Sequence, residues 1–250
     1  TRYFISANTR KEEGIVKNSY SQKMGLRVNV DQRLNDRMEL QVGSEVLRTL
    51  GDRGLFGNDN AGNSIAYTLT KIPSFLDLRR NADGSYPVNP FYNSNPFHTI
   101  DAVKNEEGVW RNISTAKLTW DILASKRQEL RFVGFGGTDV LNQGNNVYSP
   151  PVLQYEPLDG LPGTSTVGSA SNVQANVNLN LVHVWRPITR WTATTQLGTQ
   201  YERRKYNESR SSAQNLLGGL EVVTSGTVRD LSETRILTED FGVFGQTELL

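Results

Sequence analysis

The side chains best suited to binding chemistry are concentrated in one stretch, between positions 79 and 97. The stretch combines guanidinium groups with aromatic rings: Arg79, Arg80, Tyr86, Phe91, Tyr92 and Phe97. Arginine and aromatic residues are enriched where proteins contact partners, and rings also line sugar- and peptide-contacting surfaces. Two readings follow. Either this stretch contacts a ligand or a partner protein, or its rings form a small core that holds the stretch together.

Outside this stretch, the sequence shows no catalytic or metal-binding pattern. His98 and His183 are the only histidines, they lie far apart, and no carboxylates accompany them at ligand spacing. Cysteine is absent, which excludes a disulfide framework and a thiolate metal site. The net charge of +1 gives no electrostatic case for nucleic acid. We therefore expect no enzymatic activity, no metal, no cofactor and no nucleic-acid partner.

The elements that position these residues show a two-residue period. In the segment from Tyr20 to Arg48, apolar and charged side chains alternate along two arms. Alternation of this kind indicates strands with one apolar and one polar face. Asn35 and Asp36 lie between the arms, and both residue types accept the positive φ of a tight hairpin turn. The segment therefore predicts a two-stranded ribbon.

The same period recurs along the chain and predicts about eight strands. Further strands are expected at 3–9, 113–122, 130–135, 173–185, 191–201 and 235–250. The mean hydropathy of −0.49 and the lack of a long apolar run exclude a transmembrane helix, whereas a transmembrane barrel averages its two faces to such values. The residues predicted to face lipid are Met24, Leu26, Val28, Val30, Leu40, Val42, Leu118, Trp120, Ile122, Val177, Leu179 and Leu181.

The connections between these strands differ in length in a regular way. Short turns are predicted near 35–36, 125–128 and 187–190, and they alternate with long connections at 49–112, 136–172 and 207–234, with an intermediate one at 10–19. Outer-membrane barrels have short periplasmic turns and long extracellular loops. Trp120, Trp185 and Trp191 fall near the short turns, as an interfacial aromatic girdle would. The pattern predicts an all-β, antiparallel up-and-down transmembrane β-barrel.

Several runs resemble the SusC/RagA family of TonB-linked outer-membrane transporters. The resemblance lies in loose strand and turn sequences that follow in order along most of the chain. They are Tyr3-Phe4-Ile5-Ser6, the run from Glu13 to Ser19, the run from Leu78 to Tyr86 with Asn89-Pro90 and Asn95-Pro96 after it, and the run from Phe241 to Gln246.

This resemblance implies a barrel of about 22 strands with a plugged lumen. Residues 1–250 would then be part of a single barrel domain, with the plug and the remaining strands outside them. It further implies a bacterial outer-membrane location, import of bulky glycan or peptide fragments, energy from the TonB complex and a SusD-like surface lipoprotein as lid. Two rivals remain open: a soluble extracellular β-sandwich that binds carbohydrate, and a siderophore or vitamin transporter of the same architecture.

Overall fold

The protein forms one antiparallel sheet of eight strands in chain order, as seen in a computed structural model that describes residues 1–57, 63–188 and 190–250. Each strand pairs with the next one along the chain. The predicted all-β, up-and-down order is thereby confirmed. The strands are β1 (Arg2–Glu13), β2 (Tyr20–Asn35), β3 (Met38–Asp52), β4 (Lys104–Ala124), β5 (Gln128–Ser149), β6 (Thr164–Ile188), β7 (Trp191–Leu216) and β8 (Gly226–Leu249).

The sheet is a single open layer with both faces exposed. Apolar side chains in the middle of its strands remain accessible; Leu179, for example, is 39% exposed. The buried apolar side chains lie in the long connections or at the strand ends beside them: Ile65, Leu78, Val103, Tyr148, Leu153, Ala213 and Leu216. A sandwich would bury one face of each sheet against the other. The described residues form no such second layer.

The two ends of the sheet differ in their connections. At one end, strands are joined by short turns at 36–37 and 125–127 and by the junction at 189–190. We call this the short-turn end. Residue 189 lies outside the described part. At the other end of the sheet, which we call the long-connection end, strands are joined by the connections 14–19, 53–103, 150–163 and 217–225. The predicted alternation of short and longer connections is therefore present.

The predicted extent of all four longer connections is wrong: 10–19 is reduced to 14–19 and 49–112 to 53–103, and the other two are mostly sheet. Strand β5 continues to Ser149 and β6 starts at Thr164, so most of the expected connection 136–172 is sheet. In the same way, β7 reaches Leu216 and β8 starts at Gly226, within the expected connection 207–234. These extensions carry polar residues and glycine on both faces, so they show no apolar alternation. Backbone hydrogen bonds hold them in the sheet, and such bonds leave no mark on side-chain periodicity.

The hairpin between β2 and β3 also differs from the expectation. Neither Asn35 nor Asp36 has a positive φ; among the described non-glycine residues only Asn18 and Asn215 do. Instead, the Asn35 Oδ1 accepts a hydrogen bond from the Arg37 backbone N at 2.8 Å. The register shifts between Arg33 and Asn35. An Asx turn combined with this bulge reverses the chain without left-handed backbone.

Two short helices interrupt the longest connection: α1 (Ile65–Lys71) and α2 (Pro96–Ala102). Within the described residues, no helix has the length and apolar character needed to cross a membrane. Ser64 caps α1 and Asn95 caps α2, and each accepts a hydrogen bond from a backbone N of the first turn. These caps fix where each helix begins inside an otherwise irregular segment.

Candidate functional site

Cross-strand pairing gives the sheet two chemically different faces. One row of direct partners crosses every strand: Tyr3, Val30, Val42, Ala116, Gly136, Val177, Tyr201 and Phe241. The adjacent row, one residue along, is Arg2, Asp31, Gln41, Lys117, Phe135, Asn178, Gln200 and Gly242. Direct partners share a face, and successive residues alternate faces. We call the first the apolar face and the second the polar face.

The residues predicted to face lipid lie on the apolar face, with one exception. Ile122 falls in a register shift between Asp121 and Leu123 and has no direct partner on β5. Leu123 pairs with Leu130 and so continues the apolar face instead. A bulge of this kind inserts an extra residue and reverses the parity beyond it. Sequence alternation alone does not reveal where such an insertion occurs.

Tryptophans border the apolar face at two heights. Trp120 and Trp185 lie on it near the short-turn end, and Trp191 begins β7 there. Trp110, which the sequence analysis did not single out, lies on the same face of β4 and is 52% exposed. Positions 110 and 120 are about 33 Å apart along a strand, which corresponds to about 25 Å of height at a barrel tilt of about 40°. Aromatic girdles flank an apolar band of this height in outer-membrane barrels.

The polar face carries ion pairs and amides. The Arg111 guanidinium contacts the Asp139 carboxylate across β4 and β5, with Nε to Oδ1 at 2.9 Å. Arg131 and Asp121 form a second pair at 2.6 Å, nearer the short-turn end. Further along the sheet, β6 presents Asn176, Asn178 and Asn180 on this face. Paired charges and neutral amides suit a surface that stays in contact with water.

Asn95 organises the long connection that contains the predicted binding stretch. Its side chain is 2% exposed and both donates and accepts hydrogen bonds. The amide Nδ2 donates to the carbonyls of Leu78 and Pro87 at 2.9 and 2.7 Å, and the Oδ1 accepts from the backbone N of Phe97 and His98. One side chain thus joins the start of α2 to two distant backbone segments. These bonds hold residues 78–98 of the connection together.

Tyr86 lies at the centre of a polar cluster inside the predicted stretch. Its ring stacks on His98 with centroids 4.4 Å apart, and the Arg80 guanidinium lies 5.9 Å from the ring centroid. Its hydroxyl donates to the Asp101 carboxylate. This hydrogen bond lowers the pKa of Asp101, while burial raises the pKa of Tyr86 and lowers the pKa of His98. Sequence reasoning found Arg80 and Tyr86 but not Asp101.

Arg79 is separate from this cluster. Its guanidinium binds the Asp77 carboxylate through two hydrogen bonds, at 2.9 and 2.6 Å. The hydrogen bonds from Arg79 lower the pKa of Asp77 to about 2. Both side chains are mostly exposed. The pair therefore shapes the backbone locally and leaves Arg79 with a partner of its own.

Two of the three remaining predicted residues, Phe91 and Tyr92, belong to ring pairs. Phe91 meets Phe75 edge to face at 6.3 Å, and Tyr92 meets Tyr67 in the same geometry at 6.3 Å. Phe75 is 81% exposed and Phe91 is 53% exposed. Phe97 is 37% exposed at the start of α2. Thus Tyr86 has its partners inside the connection, whereas Phe91 and Phe75 form an exposed apolar pair.

The longer connections are tied to each other across the end of the sheet. Lys17 forms an ion pair with Asp101 at 2.9 Å, which links connection 14–19 to α2. The Gln154 amide donates to the carbonyls of Asn89 and Tyr92 at 2.8 and 3.0 Å, which links connection 150–163 to the same segment. No local sequence pattern signals these contacts, because their partners are far apart in the chain.

Searches for related proteins return structural matches alone. No protein-family profile matches the sequence, and no curated protein does. Among solved structures, the RagAB peptide importer in its "closed-closed" state has a TM-score of 0.73 and 12% identity, covering 99% of this chain and 28% of that chain. The "open-open" state gives a TM-score of 0.72 at 13% identity, with 99% and 27% coverage. The likeness therefore shows the fold.

A third structure, described as the RagAB peptide transporter, has a TM-score of 0.69 at 13% identity and covers 99% of this chain. This chain spans about 28% of the length of these matched chains. The open sheet thus has the fold of one section of a larger chain. The edge strands β1 and β8 each have one neighbour among the described residues.

Proposed function

We propose that these eight strands form part of the wall of a SusC/RagA-type TonB-dependent transporter in the bacterial outer membrane. The observation that supports this most strongly is the continuous apolar row across all eight strands, on a sheet that superposes over 99% of its length on part of an importer chain. In this proposal the apolar face contacts lipid and the polar face lines the lumen. The wall itself performs no enzymatic step.

The proposal assigns residues 1–250 to one barrel domain. The rest of the wall and the plug would come from polypeptide outside these residues. Unpaired edges of a sheet are sites of aggregation unless they are covered or paired. Strands adjoining β1 and β8 would pair these edges and close the barrel. Energy from the TonB complex would likewise reach the transporter through parts outside this section.

The long-connection end would face outward and meet cargo and lid. The proposed cargo is a bulky nutrient, and a peptide fragment is favoured over a glycan because the matched structures are described as a peptide importer. The proposed lid is a SusD-like surface lipoprotein. Phe75 and Phe91 are the best candidates to contact it, since they are exposed and pair with each other on the longest connection.

A soluble carbohydrate-binding sandwich explains the structure less well. Such a fold packs two sheets face to face, about 10 Å apart. The eight strands belong to one sheet, and Leu26, Val42 and Val177 on its apolar face are 50%, 43% and 43% exposed. An apolar surface of this extent needs an apolar environment. Lipid supplies that environment, and water does not.

A matched pair of substitutions in the full-length transporter tests the assignment of faces. Leu179 and Asn178 are neighbours on β6 and point to opposite faces. Leu179 is six residues from Trp185, about 20 Å along the strand and therefore near the middle of the band. Leu179→Arg should lower the free energy of unfolding from vesicles by about 2–4 kcal/mol, because it places a cation in hydrocarbon.

Asn178→Arg is the control, since its side chain would extend into a watery lumen. Its unfolding midpoint in denaturant should stay close to that of the wild type. Equal losses for the two variants would contradict the assigned faces and, with them, the transporter proposal.

A further inference from the structure

An arginine without a carboxylate partner lies at the edge of the apolar face toward the long-connection end. Arg48 on β3 is the direct cross-strand partner of Trp110 on β4. Its guanidinium carbon is 4.8 Å from the centroid of the Trp110 ring. A Cβ added to Gly108 would be 3.3 Å from Arg48 Nη2. The guanidinium therefore extends toward Gly108, away from the middle of the apolar band.

The charge of Arg48 is not neutralised by the rest of the described sheet. No carboxylate there lies within ion-pair distance of it, and its guanidinium donates no hydrogen bond to another described residue. Arg203, which is also on the apolar face but on β7, is different: it is 3.3 Å from Glu239. The acidic residues nearest Arg48 along the strands of this face are Asp52 and Glu106, about 13 Å further from the band.

The surroundings of Arg48 combine a cation with apolar contact area. Two residues toward the band, Leu26 and Val46 are direct partners and are 50% and 40% exposed. Arginine binds phosphate oxygens in a fork, and a stacked ring holds its guanidinium in a fixed plane. An occupant that fits both features has an anionic head at Arg48 and hydrocarbon chains over Leu26 and Val46.

We propose that Arg48 and Trp110 form a binding site for the headgroup phosphate of an anionic lipid on the outside of the barrel wall. This inference rests on the proposed function, because it requires the apolar face to contact a bilayer. Long cationic side chains at the ends of membrane-spanning segments direct their charge toward the headgroups. Arg48 does so at a place where no protein carboxylate competes with the lipid.

The test compares lipid retention by the folded, full-length transporter in nanodiscs. Nanodiscs contain equal amounts of phosphatidylglycerol and phosphatidylcholine, and native mass spectrometry counts the phosphatidylglycerol molecules that stay bound after release. Arg48→Gln should weaken binding at this one site about fivefold, the effect of one basic residue at a membrane surface, and so lower this number by up to one molecule per transporter. Arg48→Lys, which keeps the charge and loses the planar fork, should reduce it less. Arg27→Gln is the matched control, since Arg27 lies on the polar face of β2.

The results distinguish a failure of the lipid site from a failure of the transporter proposal. Resistance of the unheated protein to unfolding in sodium dodecyl sulfate reports a folded barrel in each variant. If folded Arg48→Gln retains as much phosphatidylglycerol as the wild type, or if Arg27→Gln loses as much, the lipid site is wrong and the transporter proposal stands. If the wild type forms no such barrel, both fall together.

Discussion

At the scale of single residues, the structure depends on polar side chains enclosed in the connections. Glu156 is the clearest case, because it is a carboxylate in a surface connection and yet only 7% exposed. Its Oε2 accepts a hydrogen bond from the Gly163 backbone N at 2.8 Å. Burial raises the pKa of Glu156 above its usual 4.5, although this hydrogen bond acts in the opposite direction. Ionised Glu156 thus costs connection 150–163 some of its stability.

The sign of this effect gives a pH-dependent prediction. A carboxyl whose folded pKa is raised stabilises the closed connection below its unfolded value of 4.5, and the contribution is lost as pH rises through the folded pKa. Glu156→Gln should therefore slow hydrogen exchange at the Gly163 amide relative to the wild type at pH 8. At pH 4 the two proteins should exchange alike. Asp159→Asn, in the same turn but exposed, removes only the smaller of the two causes that raise the pKa of Glu156 and should reproduce little of this difference; a pH-independent difference for Glu156→Gln would contradict the prediction.

At the scale of elements, the strands show what a sequence can and cannot specify. Residues 173–185 were predicted as strand because one parity is apolar, and they lie inside β6. The extension of β6 to Thr164 was missed, since its residues are small and mostly polar on both faces and carry no two-residue period. The bulge beside Ile122 was missed for a related reason. One extra residue changes the face of a side chain without changing the local composition.

Glycines in the strands provide a test of packing within an element. Gly198 on β7 lies beneath the Phe244 ring of β8, and a Cβ added there would collide with that ring and lie 2.6 Å from Asn180 Oδ1. Gly198→Val should therefore lower the free energy of unfolding of the full-length protein by about 1–3 kcal/mol. Gly144 lies within β5, where an added Cβ would meet nothing within 4 Å, so Gly144→Val should be close to neutral. Denaturant unfolding in vesicles measures both, and equal losses would show that the Phe244 contact is unimportant.

At the scale of the whole molecule, the sorted connections were predictable and their mutual contacts were not. Short turns and longer connections alternate visibly in the sequence, because turn residues and apolar periodicity are local signals. The ties from Lys17 to Asp101 and from Gln154 to Asn89 join residues that are distant in the chain. These ties convert separate loops into one surface at the long-connection end. Tyr86 is joined to the first of these ties, since its hydroxyl donates to the same Asp101 carboxylate.

The last prediction concerns contact between this surface and the proposed lid. Phe75 and Phe91 contact each other and are exposed, on a connection that Asn95 holds from beneath. Replacing both with Ala in the full-length protein should weaken binding of the proposed SusD-like lid about 10- to 30-fold, the cost of losing exposed aromatic anchors at an interface. Titration of the two purified proteins in detergent measures this directly. Leu34→Ala, about as exposed as Phe91 at 51% but beside the turn at 36–37, is the control and should leave affinity unchanged. If the double variant binds the lipoprotein as the wild type does, the exposed rings do not contact the lid, and the barrel wall must present another surface to it.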